Sequence, residues 1–176
     1  VTHIIEEGRF GGLSALMYSI HGFRVTSIEF LPLDGASIGL RSLAPSIELI
    51  DGDGSIILPE LVNALTANEA ASTMVIFDGE KRFGAYKTFE LIRSKVALAI
   101  FDDTNVGDGK QFMQMLYNQS EVVWDTTDST FAGYLSLEKA ALSVLGPLKK
   151  MPGRWHGGLN ILEKFHFAIV KGGAWA

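Results

Sequence analysis

Short apolar runs rich in β-branched residues alternate along the chain with longer segments of helical periodicity. The apolar runs predict seven strands, over residues 2–5, 24–30, 46–50, 73–77, 96–101, 121–124 and 165–170. The segments between them predict helices over residues 11–20, 58–65, 83–95, 109–117 and 137–145. Pro59 is expected in the first turn of its helix, where the missing N–H is tolerated.

The alternation of strands and helices is typical of βαβ crossovers, which place parallel strands in one sheet. Residues 74–77 and 96–101 are almost continuously apolar, as expected for strands that are buried on both faces. Residues 149–160, which contain Pro152 and three glycines, are interpreted as a loop and not as a domain linker. We therefore expect one α/β domain with a doubly wound, mostly parallel sheet and helices on both faces.

Composition narrows the classes of function. The 176 residues are 47% hydrophobic and 20% charged, which favours a folded globular protein. The net charge of −5 and the lack of a run dense in Lys and Arg predict no nucleic-acid partner. The absence of cysteine excludes disulfides and thiolate metal sites. No stretch is long and apolar enough to span a bilayer and no signal-peptide pattern opens the chain, so we expect a cytoplasmic protein without a membrane partner. The sequence carries no sign of the oligomeric state.

Acidic residues follow five of the predicted strands. They are Glu6 and Glu7, Glu29, Asp51 and Asp53, Asp78 and Glu80, and Asp102 and Asp103. Ligands of doubly wound sheets bind outside the carboxyl ends of the strands, near the point where the strand order reverses. We therefore expect a ligand site at this edge of the sheet.

The first of these loops, EEGRFGG, contains Gly8, Gly11 and Gly12. Glycine allows a ligand to approach the backbone closely, and the helix that follows offers unpaired N–H groups. A purely structural turn between strand and helix is the alternative. The spacing G-x-x-G-G differs from the dinucleotide pattern G-x-G-x-x-G, so a dinucleotide is not specifically indicated.

Glu29 is predicted at the end of the second strand. Its carboxylate could accept hydrogen bonds from both vicinal hydroxyls of a ribose. Together with the glycine loop, Glu29 therefore favours a nucleoside-bearing cofactor.

Two further groups of acids have alternative interpretations. Asp51, Gly52 and Asp53 either form a turn or hold the adenosine of the cofactor. Adjacent parallel strands lie about 4.8 Å apart, so Asp78, Asp102 and Asp103 are expected to converge. Three carboxylates of this kind suit Mg²⁺. The alternative is that one of these aspartates caps a helix and another stays solvated.

Taken in order, these segments resemble the class I S-adenosylmethionine-dependent methyltransferases over essentially the whole chain. HIIEEGRFGGLSAL resembles the first motif of that family, VTSIEF its second-strand acid, LIDGDG its third-strand loop and VIFDGEK its fourth-strand loop. The resemblance implies a seven-stranded Rossmann-like sheet with an antiparallel C-terminal strand, and S-adenosyl-L-methionine as the cofactor. The cofactor-binding residues that it implies are Glu6, Gly8, Phe10, Gly11, Gly12, Ser14, Glu29, Asp51, Gly52, Asp53 and Asp78.

Within that family, the D-x-x-K pattern of Asp78 and Lys81 and the later acid pair resemble the metal-dependent catechol-type O-methyltransferases; a cephalosporin-hydroxylase-like group is also similar. The resemblance implies Mg²⁺ held by Asp78, Asp102 and Asp103, and Lys81 as the general base next to Asp78. The implied substrate is a small molecule that is methylated on a hydroxyl. The catechol-type group usually has asparagine where Asp103 stands. That group also carries helices before the first strand, and we expect the domain of residues 1–176 to lack these helices.

Two other classes of protein fit parts of the pattern. A non-catalytic nucleoside-binding or protein-interaction domain could keep the same fold without methyl transfer. A nicotinamide-dependent dehydrogenase is disfavoured by the glycine spacing and by the acid-rich fourth and fifth loops.

Overall fold

The structure is a computed structural model that describes residues 1–104, 108–119, 122–125 and 167–174. Within these ranges the strands are β1 (His3–Glu7), β2 (Arg24–Glu29), β3 (Glu48–Asp51), β4 (Thr73–Phe77), β5 (Leu98–Phe101), β6 (Val122–Asp125) and β7 (Ala168–Lys171). The helices are α1 (Leu13–Ile20), α2 (Asp34–Leu43), α3 (Gly54–Ala64), α4 (Ala67–Ala71), α5 (Phe83–Ile92) and α6 (Gly109–Gln119). The helix predicted over residues 137–145 and the loop predicted over 149–160 lie outside the described residues.

All seven strands form one sheet in the order β3-β2-β1-β4-β5-β7-β6. Strands β1 to β5 pair in parallel, whereas β7 runs antiparallel to both of its neighbours, β5 and β6. This arrangement confirms the predicted doubly wound, mostly parallel sheet with an antiparallel C-terminal strand. The strand order reverses at β1, between β2 and β4, and ligands of such sheets bind at this crevice.

The strand register brings the predicted loops to one edge. Glu7, the last residue of β1, lies opposite Ile28 in β2 and Phe77 in β4, and Phe77 lies opposite Phe101 in β5. The residues that follow β1, β4 and β5 therefore begin at the same level of the sheet. Glu29, one residue beyond Ile28, also lies at this edge.

Two apolar cores cover the two faces of the sheet. The larger core, under α3, α5 and α6, contains Phe77, Phe89, Phe101 and Phe112. The rings of Phe77 and Phe101 stack with their centroids 5.0 Å apart, and Phe89 meets Phe101 edge to face. The smaller core, under α1 and α2, contains Ala15, Val25, Leu40, Ala44 and Ile47. The two cores pack against both faces of the sheet and fix the positions of the strand ends. No helix within the described residues has the length and apolar character needed to cross a membrane.

Three local features differ from the sequence-based expectations. Strand β1 runs two residues further than predicted, because hydroxyl and backbone donors satisfy the carboxylates of Glu6 and Glu7 and allow them to be buried in the strand. Helix α3 begins before the predicted start, since Asp53 caps it by accepting a hydrogen bond from the backbone N–H of Ser55. Pro59 consequently lies inside α3 and not in its first turn.

Helices α2 and α4 have no counterpart among the predicted elements. Helix α2 includes Gly35 and Gly39, which weaken helix propensity, and it forms because Leu40 packs into the smaller core. Helix α4 has a capping box between Thr66 and Glu69, a signal that is visible in the sequence.

Candidate functional site

Glu6 and Glu7 end β1 and point to opposite faces of the sheet, because side chains alternate along a strand. Glu6 is only 1% exposed and accepts a hydrogen bond of 2.9 Å from the Ser27 hydroxyl and another from the Ser14 hydroxyl at the start of α1. Burial raises the pKa of Glu6 to about 7, although both hydroxyls oppose this shift. Glu6 and Ser14, both predicted cofactor residues, are thus brought together on the α1 side of the sheet.

Glu7 lies on the side of α3 and α5, where its carboxylate oxygen Oε2 accepts hydrogen bonds from the backbone N–H groups of Gly79 (3.2 Å) and Glu80 (2.7 Å). Burial raises the pKa of Glu7, and these backbone donors oppose the shift. Gly54 and Gly79 enclose the side chain closely. A Cβ atom on Gly54 would lie 2.3 Å from Glu7 Cγ, and one on Gly79 would lie 2.6 Å from Glu7 Oε1. A side chain at either position would therefore have to displace the Glu7 carboxylate.

The glycines of the first loop have different roles. Gly8 has a φ of 101°, and a Cβ atom there would lie 2.2 Å from the backbone nitrogen of Gly79, so the loops after β1 and β4 are in direct contact. Gly12 has a φ of 76°, and a Cβ atom there would meet the side chain of Leu40. Gly11, in contrast, faces open space. Two of the three glycines thus serve the packing of the loop, whereas a Cβ atom on Gly11 would meet no neighbouring atom.

Three amides of the same loop donate to other groups of the protein. The N–H of Gly8 donates to Ile28 O (3.0 Å), that of Phe10 to Glu29 Oε2 (2.7 Å) and that of Gly12 to Arg9 O (2.7 Å). The other oxygen of Glu29 accepts from the N–H of Leu31 (3.1 Å). Glu29 is therefore fixed at the end of β2 and joined to the first loop, and Phe10 is 66% exposed.

A cleft of about 300 Å³ opens between these loops. It is lined by Glu7, Gly8, Glu29, Phe30, Leu31, Asp53, Gly54, Gly79 and Glu80. Four of these residues carry carboxyl groups and none carries a basic side chain. Such a surface favours a ligand that has positive charge or hydroxyl donors, and it disfavours an anionic ligand.

Arg9 is a site residue that the sequence reasoning missed. Its side chain is fully buried, and the guanidinium donates to Ser27 O (3.0 Å), Ser37 Oγ (3.3 Å) and Asp51 Oδ1 (2.5 Å). The Nε of Arg9 has no hydrogen-bond partner. Arg9 thus ties the first loop to β2, α2 and the end of β3, and it occupies one oxygen of Asp51. An arginine between glycines, with an aspartate ending a nearby strand, is the only sequence signal for this contact.

The loop after β3 was predicted either to form a turn or to hold adenosine, and the structure shows it as a turn that leads into α3. Asp53 accepts hydrogen bonds from both the backbone N–H (2.9 Å) and the hydroxyl (2.7 Å) of Ser55. Gly52 has a φ of 149°, and a Cβ atom there would lie 2.6 Å from the Ile57 side chain. Asp53 also lines the cleft, so its capping role leaves it beside the ligand space.

Asp78, Lys81, Asp102 and Asp103 converge as predicted, but with a different chemistry. The ammonium of Lys81 lies 2.7 Å from Asp78 Oδ1 and 3.2 Å from Asp103 Oδ2. Burial alone lowers the pKa of Lys81, but the two carboxylates outweigh it and the net shift is upward. Burial and the neighbouring Asp78 raise the pKa of Asp102 to about 6.

This arrangement does not fit the predicted magnesium ion. Among the residues that the structure describes, no three His, Cys, Asp or Glu side chains are grouped so as to hold a metal. The lysine ammonium pairs with two of the three expected ligands and takes the place of a cation there. The contacts also favour the charged form of Lys81, whereas a general base must be neutral.

Comparisons with known proteins identify the fold. No family model matches the sequence. The search of curated proteins likewise finds no match. Similar solved structures include a TehB-like SAM-dependent methyltransferase from Corynebacterium glutamicum, with a TM-score of 0.54 and 13% identity over 97% of this chain and 80% of that one. An rRNA methylase from Streptococcus thermophilus has a TM-score of 0.55 and 12% identity, with 97% of this chain and 86% of that one covered.

A third similar structure is the TDP-rhamnose 3′-O-methyltransferase of calicheamicin biosynthesis. Its TM-score is 0.53 at 13% identity, and the match covers 97% of this chain and 72% of that one. At such low identity the comparisons show the fold alone. The chain therefore has the α/β fold of the S-adenosylmethionine-dependent methyltransferases, with an acid-lined cleft at the edge of the sheet where that fold binds ligands.

Proposed function

We propose that the protein is an S-adenosylmethionine-dependent methyltransferase that methylates a hydroxyl group of a small molecule. The observation that carries this proposal is the acid-lined cleft at the reversal point of the sheet, with Glu29 fixed at its edge. The fold supports the proposal, because similar solved structures include methyltransferases, one named for TDP-rhamnose and another for rRNA.

The chemistry of the cleft suits this cofactor. S-adenosylmethionine carries a sulfonium cation, an ammonium group and a ribose diol, and all three interact favourably with carboxylates. Each oxygen of Glu29 accepts one backbone N–H, and a carboxylate has about four lone-pair sites. Glu29 can therefore accept both ribose hydroxyls while it stays bound to the first loop. The exposed Phe10 donates its backbone N–H to Glu29.

The proposed reaction is a direct displacement. The acceptor oxygen attacks the methyl carbon, the bond between carbon and sulfur breaks, and its electron pair stays on sulfur, which yields S-adenosylhomocysteine. Holding both reactants in line supplies much of the rate acceleration. The closely packed strand ends would keep the residues of the site in fixed positions for this alignment. The acceptor proton must leave to a base, and we infer that the carboxylate of Asp78 takes it. We further infer that Lys81 acts as a charged positioning residue for Asp78, in place of the base that the family resemblance implied.

The predicted magnesium ion has no part in this proposal, because the described carboxylates are not grouped to hold one and Lys81 pairs with two of them. Methyl transfer that requires added Mg²⁺ and stops in EDTA would overturn that part and leave the cofactor assignment intact.

We infer a small-molecule acceptor from the charge around the cleft. The similar structures include an rRNA methylase, so the fold is compatible with RNA as well. RNA binding relies on basic side chains that neutralise phosphates, and the lining of this cleft is acidic. Competition of methyl transfer by added RNA, but not by hydroxyl-bearing small molecules, would contradict this inference.

Calorimetric titration of the folded chain with S-adenosylhomocysteine tests the cofactor assignment. We expect saturable binding at one site, and a loss of at least about tenfold in affinity for Glu29→Ala. Glu60→Ala, which changes an exposed glutamate of α3 away from the cleft, is the matched control. If the folded protein does not bind S-adenosylhomocysteine, both proposals are refuted, the methyltransferase activity and the binding of the cofactor. Binding without transfer to any acceptor would favour the non-catalytic alternative.

A further inference from the structure

Helix α1 has an apolar stripe on its outer side. The three residues of the stripe, Leu13, Met17 and Ile20, are 70%, 44% and 67% exposed. Their spacing of four and three residues places them on one side of the helix. Ala15, on the opposite side, is fully buried in the smaller core. The stripe therefore faces away from the sheet, and none of its three residues lines the cleft.

The composition of α1 is unlike that of the other helices. Among the helices of the described residues, it is the only one that contains no Asp, Glu, Lys or Arg. The whole segment from residue 10 to residue 23 also lacks these four residue types. A surface helix normally sets polar and charged residues opposite its apolar face, whereas a helix that is apolar on opposite sides is a buried one. The composition of α1 therefore indicates that a further protein layer covers its outer side.

The exposed apolar surface extends beyond α1. Phe10 lies in the loop before the helix, and Ile38 and Leu43 lie on α2, which packs on the same core; all three are about as exposed as Leu13. A side chain of this size has roughly 60–120 Å² of apolar surface, so these residues and the stripe together present roughly 250–450 Å² to solvent. A standard interface buries about 800 Å² per partner, a little over half of it apolar. This surface thus supplies about half or more of the apolar area that a stable dimer needs.

We propose that a second copy of this chain covers this surface, with a two-fold axis that passes near the middle of α1. In a two-fold interface the residues near the axis contact their own counterparts. A charged residue there would meet its own charge, and such contacts cost several kcal/mol. Because α1 has no charged residue, it meets this requirement, which a partner of different sequence would not impose.

The spacing of the stripe also fits the packing of α1 on itself. An axis near Met17 places Met17 against its counterpart and Leu13 against Ile20 of the second copy. Alternating steps of four and three residues are those of the apolar seam between two packed helices. A lipid surface fits less well, because helices that lie on membranes carry Lys and Arg beside the apolar face, and α1 has neither. Self-association through α1 needs no ligand in the cleft, so it holds whether or not the proposed function is correct.

Sedimentation velocity of the natural protein, over a range of about 1–100 μM, tests the proposal. We expect the natural protein to form a dimer. Met17→Glu places two carboxylates at the axis, so it should raise the dissociation constant of the dimer at least about a hundredfold. Leu91→Glu is the matched control, since Leu91 is an equally exposed apolar residue on α5, and this variant should associate like the natural protein.

A second test uses the absence of cysteine from the chain. Met17→Cys has one thiol per copy, and a short bismaleimide should join two copies of this variant but not two copies of Leu91→Cys. Absence of the linked dimer refutes the inference, and this result decides the matter should Met17→Glu not fold.

The remaining outcomes also decide. A natural protein that stays monomeric at the highest concentration overturns the inference, and binding of that monomer to phosphatidylserine vesicles would assign α1 to a lipid surface instead. A dimer that Met17→Glu leaves intact overturns it as well, because the copies would then associate through another surface. Binding of S-adenosylhomocysteine enters none of these measurements, so a failure of the proposed function would be seen separately.

Discussion

Glu6 gives a prediction that requires no knowledge of the substrate. Its carboxyl group is buried in β1 with a pKa of about 7, compared with an ordinary value of 4.5. Between these two values the unfolded chain has released the proton while the folded protein keeps it. Stability therefore falls as pH rises through this window, and it levels off above about pH 7. Since one pH unit is worth about 1.4 kcal/mol, the total loss is about 3 kcal/mol.

Replacing Glu6 by glutamine removes this titration. The amide oxygen keeps an acceptor for one of the two serine hydroxyls, and the amide NH₂ can donate to the other. We expect the free energies of unfolding of Glu6→Gln and the natural protein to be similar near pH 4.5. By pH 8 the variant should be more stable by about 3 kcal/mol, with a melting temperature higher by roughly 6–12 °C for a chain of this size.

Urea unfolding at matched ionic strength, in steps from pH 4.5 to pH 8, measures the difference. The quantity to plot is the variant minus the natural protein, because this difference cancels the titration of every other group. Glu60→Gln, at an exposed position, should give a flat line near zero. A constant difference for Glu6→Gln over the whole range would refute the reasoning, since it would show that Glu6 titrates alike in the folded and unfolded states.

Three further predictions concern the loops around the cleft. Asp51→Asn should destabilise the protein more than Arg9→Met. The first variant leaves the fully buried charge of Arg9 without its partner, whereas the second leaves Asp51, whose side chain is 47% exposed and can be solvated. Urea unfolding of both variants and of the double variant measures the losses of stability, and equal losses would contradict the prediction. Lys81→Met should lower the rate of methyl transfer about a hundredfold or more while the affinity for S-adenosylhomocysteine stays within about twofold, because in the proposed reaction Lys81 positions the base Asp78 and does not touch the cofactor. Parallel losses of rate and affinity would assign Lys81 to cofactor binding instead. Gly8→Ala should abolish binding of S-adenosylhomocysteine and lower the melting temperature, whereas Gly11→Ala, with open space around it, should retain the natural stability. A Gly8→Ala variant that folds and binds the ligand would show that the loops after β1 and β4 can separate.

Much of the fold follows from the sequence, because its signals are local. The run that forms β4 is apolar from Met74 to Phe77 and includes the β-branched Val75 and Ile76, and its observed bounds are those that the pattern predicts. The acidic positions at the carboxyl edge follow from topology alone, since parallel strands in one sheet end together. Helix α2 was not predicted because its two glycines weaken the local signal, and its packing on the smaller core decides the outcome.

The chemistry of the site depends on contacts between residues far apart in the chain, and local patterns carry little information on these. Arg9 is buried only because Asp51 and Ser37 reach it from other elements. The prediction of a metal site counted carboxylates, but it could not foresee that Lys81 would point between two of them. Which oxygen of a carboxylate is engaged, as in Glu7, is likewise a property of the folded chain only.

The inward amides of the first loop have a consequence for competing ligands. A phosphate-binding loop holds its ligand with several backbone N–H groups that converge on the anion. Here the N–H groups of Gly8, Phe10 and Gly12 already donate to Ile28, Glu29 and Arg9. The loop therefore keeps the glycines of a nucleotide cradle, but three of its amides are already engaged within the protein. Inorganic phosphate should accordingly fail to displace S-adenosylhomocysteine, even in large excess.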